Sequence, residues 1–121
     1  MSQDLPDLPE LLRTVREYLD DITDKVPDKD RYHAMCSSYL LAVAERELKV
    51  GVDFNRDEER RLADFLGRPV VLPAGYAALG REIRAGSHDA DWDTVFALVL
   101  AHVINKVNVS KPEHLDAMHR E

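Results

Sequence analysis

The stretch from Trp92 to Asn108 constrains the fold more than any other part of the chain. Large apolar residues occupy nearly every turn of it and leave almost no polar face: Val95, Phe96, Leu98, Val99, Leu100, Val103, Ile104 and Val107. A helix that is apolar on nearly every side belongs in a protein interior. At about 1.5 Å per residue this helix spans roughly 25 Å, the diameter of a small domain. The sequence therefore predicts a central C-terminal helix that the other helices surround.

Composition indicates a globular protein with one core. The 121 residues are 45% hydrophobic and 32% charged, a balance that is not typical of disordered chains. A chain of this length suits a single core, so we expect one helical domain over residues 1–121. The formal net charge of -7 argues against binding to a phosphate backbone, which requires clustered Lys and Arg. Nucleic acid is therefore not an expected partner.

Features of exported and membrane proteins are also missing from the sequence. The only cysteine, Cys36, cannot form an internal disulfide. The longest apolar run, Val95 to Ala101, is far shorter than the ~20 residues that a membrane span needs. The N-terminal MSQDLPDLPE is acidic, unlike a signal peptide. We therefore expect a cytoplasmic protein without membrane contact.

The first half of the chain predicts two amphipathic helices. The first runs from Leu8 to Val26, with Asp7 as its N-cap and Pro27 as its stop. The second runs from Lys29 to Val50 and ends at Gly51, because glycine readily adopts the left-handed conformation that terminates a helix. One stripe of the second helix is apolar: Tyr32, Met35, Cys36, Tyr39, Leu40 and Val43. Small residues between these positions favour close pairing with the central helix.

The second half predicts three further helices and a terminal helical turn. A capping box from Asn55 to Glu58 opens a third helix that ends at Gly67, and a fourth helix covers Ala74 to Ala85. The central helix follows, and a second capping box, Ser110 to Glu113, predicts a terminal helical turn. The link RPVVLP is expected to be extended, without a partner strand. The predicted fold class is thus all-α, a single-domain bundle of about five helices.

Catalytic and metal-binding patterns are weak. His33 and Cys36 share a helical face, but a closed zinc site needs four ligands and no second pair has matching spacing. A catalytic Cys–His pair is the more specific alternative, yet nothing supplies an oxyanion hole. The apolar stripe around Cys36 would also raise the thiol pKa and disfavour the nucleophilic thiolate. The segment GYAALG lacks the Lys-Ser/Thr and the preceding strand of a P-loop. We therefore predict no catalytic residue, metal ligand or cofactor, and the sequence favours a protein that is not an enzyme.

An anion-binding site is the strongest candidate for a ligand. Arg31, Arg46 and Arg84, together with His33, could clamp a phosphate or the phosphates of an acyl-CoA. The alternative is that these side chains lie on exposed helix faces, where Glu45 forms an i, i+4 pair with Lys49. Convergence of the four predicted binding residues in one cleft would distinguish the two interpretations.

Aromatic side chains offer a protein-binding alternative. Trp92 and the four tyrosines are interpreted as residues at the edge of the core, or else as parts of an interface patch: Tyr18, Tyr32, Tyr39 and Tyr76. The acidic surface permits a basic partner. A helix as apolar as the central one can also complete the core of a homodimer.

Three segments, RYHAMCSSYLLAVAEREL, IRAG and NVSKPEHL, are similar to a bacterial family of small helical proteins of unknown function. The likeness covers nearly the whole chain. The matching positions are Arg31, His33, Glu45, Arg46, Glu47, Leu48, Arg84, Gly86 and Pro112. Met35 and Tyr39 depart from the pattern, because polar Arg and Asn are frequent there in the resembled family. A site that relatives build from those polar groups is therefore in doubt in this chain.

The resemblance also implies a partner. Members of this family tend to be encoded beside, or fused to, aminoglycoside-phosphotransferase-like kinases and acyl-CoA dehydrogenases, which implies a shared pathway of acyl-CoA metabolism. We therefore expect a non-catalytic accessory or interaction protein for such a kinase or dehydrogenase. The alternative is a small-molecule binding module, or a small enzyme, that holds a phosphate or acyl-CoA with the four predicted binding residues. A self-assembling homodimer is the third hypothesis.

Overall fold

The computed structural model describes residues 4–120, which form four α-helices and three short 3-10 helices. The α-helices are α1 (Leu8–Ile22), α2 (Asp28–Leu66), α3 (Ala74–Arg84) and α4 (Trp92–Ser110). The 3-10 helices cover Asp89–Asp91, Pro112–His114 and Ala117–His119. Because this part of the chain contains no strand, the all-α prediction is confirmed. No helix within residues 4–120 combines the length and apolar character needed to cross a membrane.

The chain divides into two compact units, Met1–Val50 and Gly51–Glu121. The N-terminal unit contains α1 and the first part of α2. The C-terminal unit contains the rest of α2 together with α3, α4 and the 3-10 helices. The expectation of one domain over residues 1–121 stays a prediction.

α2 corrects the predicted helix count from about five to four. The predicted stop at Gly51 and the predicted capping box at Asn55 are both wrong, since α2 continues through them to Leu66. A glycine inside a helix costs only about 1 kcal/mol relative to alanine, which packing can offset. The side chain of Glu58 does not return to Asn55 as a cap, because it binds groups inside the C-terminal unit.

The other helix ends agree only in part with the local sequence signals. Asp7 caps α1 as predicted: its Oδ1 accepts the Glu10 amide at 3.0 Å, and Glu10 Oε2 accepts the Asp7 amide at 3.1 Å. α1 ends at Ile22 rather than near Pro27. Gly67 and Gly86, with φ of 71° and 79°, end α2 and α3 as predicted. Only glycine adopts this left-handed region without steric cost.

The core of the C-terminal unit lies where α2, α3 and α4 each contribute one large apolar side chain. Leu62, Leu79 and Val95 are 0%, 2% and 3% exposed. α3 comes close to α2 at Gly75, where an added Cβ would lie 2.8 Å from Leu62 Cδ2 and 3.1 Å from Val70 Cβ. The absence of a side chain at Gly75 is therefore a packing requirement.

α4 corrects the prediction of a surrounded central helix. Its bounds match the apolar segment, but Trp92 and Phe96 are 61% and 56% exposed. Val95 and Asn108 lie on the covered side. The other described elements of the C-terminal unit cover one side of α4 and leave a second apolar side at the surface, so the expectation that neighbours wrap the helix is not confirmed.

The C-terminal segment packs back without the predicted capping box. Ser110 is the last residue of α4, and its hydroxyl donates to the Lys106 carbonyl at 2.9 Å instead of capping a helix at Glu113. The side chain of Asn108 donates to the His119 carbonyl at 2.8 Å. The Asn108 contact holds the 3-10 turn Ala117–His119 against α4, and the 3-10 turn Pro112–His114 lies where the sequence predicts a terminal helical turn.

Candidate interaction surfaces

A buried polar cluster joins the three helices of the C-terminal unit. Glu58 of α2 is nearly inaccessible, and its Oε1 accepts a hydrogen bond from the Tyr76 hydroxyl of α3 at 2.7 Å. The same oxygen pairs with Nδ1 of His102 on α4. The rings of Tyr76 and His102 stack with their centroids 4.0 Å apart. We call Glu58, Tyr76 and His102 the polar cluster.

The electrostatics of the polar cluster suit a structural role. Burial, together with the hydrogen bond to Glu58, raises the pKa of Tyr76 well above its usual value near 10. Tyr76 therefore remains a neutral donor at physiological pH. A buried carboxylate without partners would be costly, but here one oxygen has both a hydroxyl and an imidazole as partners. The arrangement fixes α2, α3 and α4 relative to one another.

A second histidine lies at the other end of α3. The ring of His88 packs against Phe65 with the centroids 4.9 Å apart. Its Nε2 is buried without a hydrogen bond, 3.6 Å from a Glu82 oxygen. Glu82 also pairs with Arg68 at 3.3 Å.

Within residues 4–120, no group of three His, Cys, Asp or Glu side chains is placed to hold a metal ion.

A shallow pocket of about 200 Å³ lies beside the link between α2 and α3. It is lined by Arg68, Pro69, Val70, Val71, Ala74, Gly75 and Ala78. The lining is mostly apolar and includes none of the four predicted binding residues. Its one charged side chain, Arg68, is paired with Glu82.

An exposed apolar surface of the C-terminal unit lies on α4. Five large side chains share one side of the helix and are exposed: Trp92, Phe96, Val99, Leu100 and Val103. Their spacing of three and four residues makes them neighbours along about 16 Å of helix. We call this surface the α4 face. Contiguous exposed apolar surface of this kind is typical of protein-binding sites.

The N-terminal unit exposes a second apolar surface, on α2. We call it the α2 stripe, and it consists of Tyr32, Met35, Cys36, Tyr39, Leu40 and Val43. Tyr32 and Leu40 are 70% and 64% exposed, and Met35 and Tyr39 are also at the surface. Cys36 and Val43 are half-buried. Tyr32 and Tyr39 are therefore exposed rather than placed at the edge of a core, and their role in an interface patch stays a prediction.

The two helices of the N-terminal unit are joined by polar contacts on another side of α2. Arg16 Nη2 of α1 lies 3.3 Å from Glu45 Oε1, and this hydrogen bond raises the pKa of Arg16. The Ser38 hydroxyl donates to Asp20. Glu45 is thus held by α1, a contact that the sequence did not predict.

The family model described as "Domain of unknown function (DUF6285)" matches residues 24–114. The chain belongs to this family. The DUF6285 match includes α2, α3 and α4 entirely and leaves α1 outside. No curated protein and no solved structure matches the chain.

In this DUF6285 chain, the four predicted binding residues lie on two units. Arg31 is exposed and pairs with Asp28 at 3.3 Å, and His33 is exposed beside the ring of Tyr32. Two residues correspond to 200° of rotation, so His33 lies nearly opposite Arg31 around α2.

Arg46, half-buried, lies fifteen residues from Arg31, which is about 22 Å along the helix axis. α2 therefore does not bring Arg31, His33 and Arg46 into one small cleft. Arg84 is exposed in the last turn of α3, in the other unit of the DUF6285 chain. The binding role of these four residues stays a prediction.

The polar cluster is the feature that sequence reasoning missed. Glu58 stands in the run RDEERR, which resembles a solvated helix face. The available signal was His102, an imidazole in the middle of a nearly all-apolar helix, because a buried polar group requires a partner.

Proposed function

We propose that this DUF6285 chain is a non-catalytic helical accessory protein that binds a partner enzyme through the α4 face. The observation that carries the proposal is the exposure of five large apolar side chains on one side of a helix whose other side belongs to a packed core. Burying such a patch removes apolar area from water, at about 25 cal/mol per Å².

Two aromatic residues give the α4 face the character of a binding hot spot. Trp92 and Phe96 are one turn apart and mostly exposed. Aromatic side chains dominate the energy of protein interfaces, because each buries a large area with little loss of side-chain entropy. We therefore assign the anchor role to this pair.

Acidic residues at one end of the α4 face indicate which charge the binding surface of a partner should carry. Asp89, Asp91 and Asp93 are exposed around Trp92, and the whole chain carries a net charge of -7. A partner groove with an apolar floor and with Lys or Arg at one end would fit both features.

The resemblance noted from the sequence suggests which partner to test. It implies a neighbouring aminoglycoside-phosphotransferase-like kinase or acyl-CoA dehydrogenase in a bacterial cytoplasm. Either enzyme brings its own catalytic groups. In this proposal acyl-CoA metabolism is performed by the partner, and the DUF6285 chain contributes a docking surface.

Binding measurements with the two purified enzymes test the proposal. We expect one of them to bind the full chain in calorimetry, and Phe96→Asp to weaken that binding about 30-fold or more, as for a hot-spot residue. Val71→Asp is the matched control, because Val71 is exposed in the same unit but lies outside the α4 face. Circular dichroism checks that both variants keep their helix content.

The proposal fails if neither enzyme binds and neither changes its activity when mixed with the chain. A thermal-shift screen with CoA esters, nucleotides and sugar phosphates tests the rival anion-binding module. A ligand at 100 times its Kd stabilises by about 2.7 kcal/mol. A shift that disappears in Arg31→Ala or Arg46→Ala would favour the rival.

A further inference from the structure

The α2 stripe lies on the side of α2 that α1 does not cover. Ala34, Ser38 and Glu45 mark the α1-facing side, since Ala34 and Ser38 are buried and Ser38 and Glu45 contact α1. At 100° per residue, the centre of the α2 stripe lies about 150° around the helix from these positions. The N-terminal unit therefore presents an apolar helix face that its own second helix cannot reach.

From this face we infer that two copies of the chain pair antiparallel through α2, across a two-fold axis between Ser37 and Ser38. This dimer uses the α2 stripe and leaves the α4 face to a partner enzyme, so it is independent of the proposed function. Antiparallel pairing about a two-fold axis places residue i opposite residue j of the second copy when i and j lie on the same flank of the helix and at nearly equal distances from the axis.

The apolar residues of the stripe are self-complementary about that centre. Tyr32 and Val43 lie near the midline of the stripe and face each other across the axis. On one flank Met35 lies opposite Tyr39 of the second copy, and on the other flank Cys36 lies opposite Leu40. Each large side chain thus meets a smaller or a flexible one. Alternation of large and small residues across an interface allows the two rows to interdigitate.

The charges at the two ends of the stripe are arranged within half a residue of the same axis, with one pair centred on Ser38 and the other on Ser37. Lys29 and Glu47 are eighteen residues apart, as are Asp28 and Arg46. Eighteen residues make five complete turns, so each pair lies on one flank of the helix. The two-fold axis brings Lys29 against Glu47 of the second copy on one flank, and Asp28 against Arg46 on the other. Opposite charges therefore meet at both ends.

The antiparallel orientation follows from size and from helix dipoles. A parallel pair would also meet with opposite charges, but it would set Tyr32 against Tyr32 and Cys36 against Cys36 of the second copy. Such like pairs crowd the interface at the tyrosines and leave gaps at the cysteines. Antiparallel helices also align their dipoles favourably.

The α4 face lacks this symmetry. Asp93 and Lys106 flank it near its two ends and are thirteen residues apart, which places them on opposite flanks of the helix. An antiparallel second copy would not bring these charges together. The charge pattern thus selects the α2 stripe for self-association.

The mass of the full chain in solution tests the dimer first. Sedimentation equilibrium at micromolar concentrations should give twice the chain mass of 13.8 kDa. Leu40→Asp should weaken the dimer about 100-fold or more, because it places a charge midway along the stripe, against the second copy. Phe96→Asp on the α4 face should leave the dimer constant unchanged. Helix content by circular dichroism verifies that Leu40→Asp still folds.

A charge exchange tests the orientation. Lys29→Glu and Glu47→Lys should each weaken the dimer about ten-fold, because each turns two attractive pairs into repulsive ones. The double variant should return to within about three-fold of the original constant, because the opposite charges meet again. In a parallel dimer the double variant would associate more weakly than either single variant. The new carboxylate at position 29 would then face Asp28 of the second copy, and the new ammonium at position 47 would face Arg46, so like charges would meet at both ends.

Cross-linking of the unsubstituted chain at Cys36 gives a further readout. The two Cys36 residues lie on either side of the proposed axis, so a short bis-maleimide should link two chains, and Cys36→Ser should abolish the product. The inference is overturned if the mass stays at 13.8 kDa at every concentration. It is also overturned if Phe96→Asp, and not Leu40→Asp, dissociates the dimer.

Discussion

The two units of the chain use apolar residues in different ways. The C-terminal unit buries a large side chain from each of α2, α3 and α4: Leu62, Leu79 and Val95. The buried side chains of the N-terminal unit, among the residues that the structure describes, are the small Ala34 and Ser38. One unit thus has a core of its own, whereas the other has a helix pair with apolar surfaces at its exterior.

The number of helices explains this difference. Two helices can cover only one side of each other, whereas three helices enclose a common interior. α1 is strongly amphipathic, yet none of its residues is buried, and Val15 and Tyr18 on its apolar side are exposed. A hydrophobic pattern therefore identifies which side of a helix is apolar, but it does not tell whether the same chain covers that side.

The largest expected effect comes from the core of the C-terminal unit. Leu79→Ala should lower the free energy of unfolding by about 2 to 5 kcal/mol, because it removes buried contacts and leaves a cavity. Urea denaturation followed by circular dichroism measures the change.

The matched control is Leu48→Ala in the N-terminal unit, where the side chain is exposed on α2 and outside the α2 stripe. We expect a loss of about 0.5 kcal/mol or less at this surface position. Similar losses in the two variants would mean that the units do not differ in the way described.

The polar cluster should give the next largest effect. Glu58→Gln should cost about 1.5 to 3 kcal/mol, because the amide keeps one acceptor but loses the charge that pairs with His102. The same substitution at Glu17, exposed in the N-terminal unit, should have little effect. Denaturant unfolding of the two variants at pH 7 makes the comparison.

Tyr76 adds a pH dependence to this prediction. Its pKa is raised in the folded chain, so above about pH 10 the unfolded state releases the phenol proton first. The free energy of unfolding should therefore fall as the pH rises from 10 to 11, and the fall should be smaller in Tyr76→Phe. Equal slopes in the two proteins would contradict a buried, hydrogen-bonded tyrosine.

Much of the fold was predictable because helix ends depend on local chemistry. The Asp7 cap and the glycine stops at Gly67 and Gly86 need only a few residues to define them. The continuity of α2 through Gly51 depends instead on packing and on where the side chain of Glu58 goes. A sequence pattern cannot distinguish a glycine that ends a helix from one that a helix tolerates.

The candidate surfaces were less predictable than the helices. The sequence marked Trp92 to Asn108 and the α2 stripe as apolar, and both are helical, but burial was expected where the structure shows exposure. The polar cluster joins residues eighteen and forty-four positions apart in the chain. Such distant partners are selected by tertiary packing, which has no local signature.

Glycines in α3 allow a finer test of packing in the C-terminal unit. Gly75→Ala should cost about 1 to 3 kcal/mol, because its Cβ would lie 2.8 Å from Leu62 Cδ2 in a filled core. Gly80→Ala should stabilise by about 0.5 to 1 kcal/mol, because its Cβ meets no atom within 4 Å and alanine favours the helix. Thermal unfolding should therefore shift in opposite directions. A stabilising Gly75→Ala would show that α3 does not approach α2 closely there.

The smallest expected effect is the ion pair that joins the two helices of the N-terminal unit. Arg16 and Glu45 are 28% and 21% exposed and share two contacts, at 2.5 and 3.3 Å. A double-mutant cycle with Arg16→Gln and Glu45→Gln should give a coupling energy of about 1 kcal/mol, at the upper end for partly exposed pairs.

The cycle for Lys25 and Asp21, a more exposed pair at 3.3 Å, should give less than half of that coupling energy. Because salt screens exposed charges, both values should fall in 1 M NaCl, with the larger fractional loss for Lys25 and Asp21. Equal coupling in the two cycles would show that the Arg16–Glu45 pair holds α1 against α2 no more strongly than an ion pair at the surface.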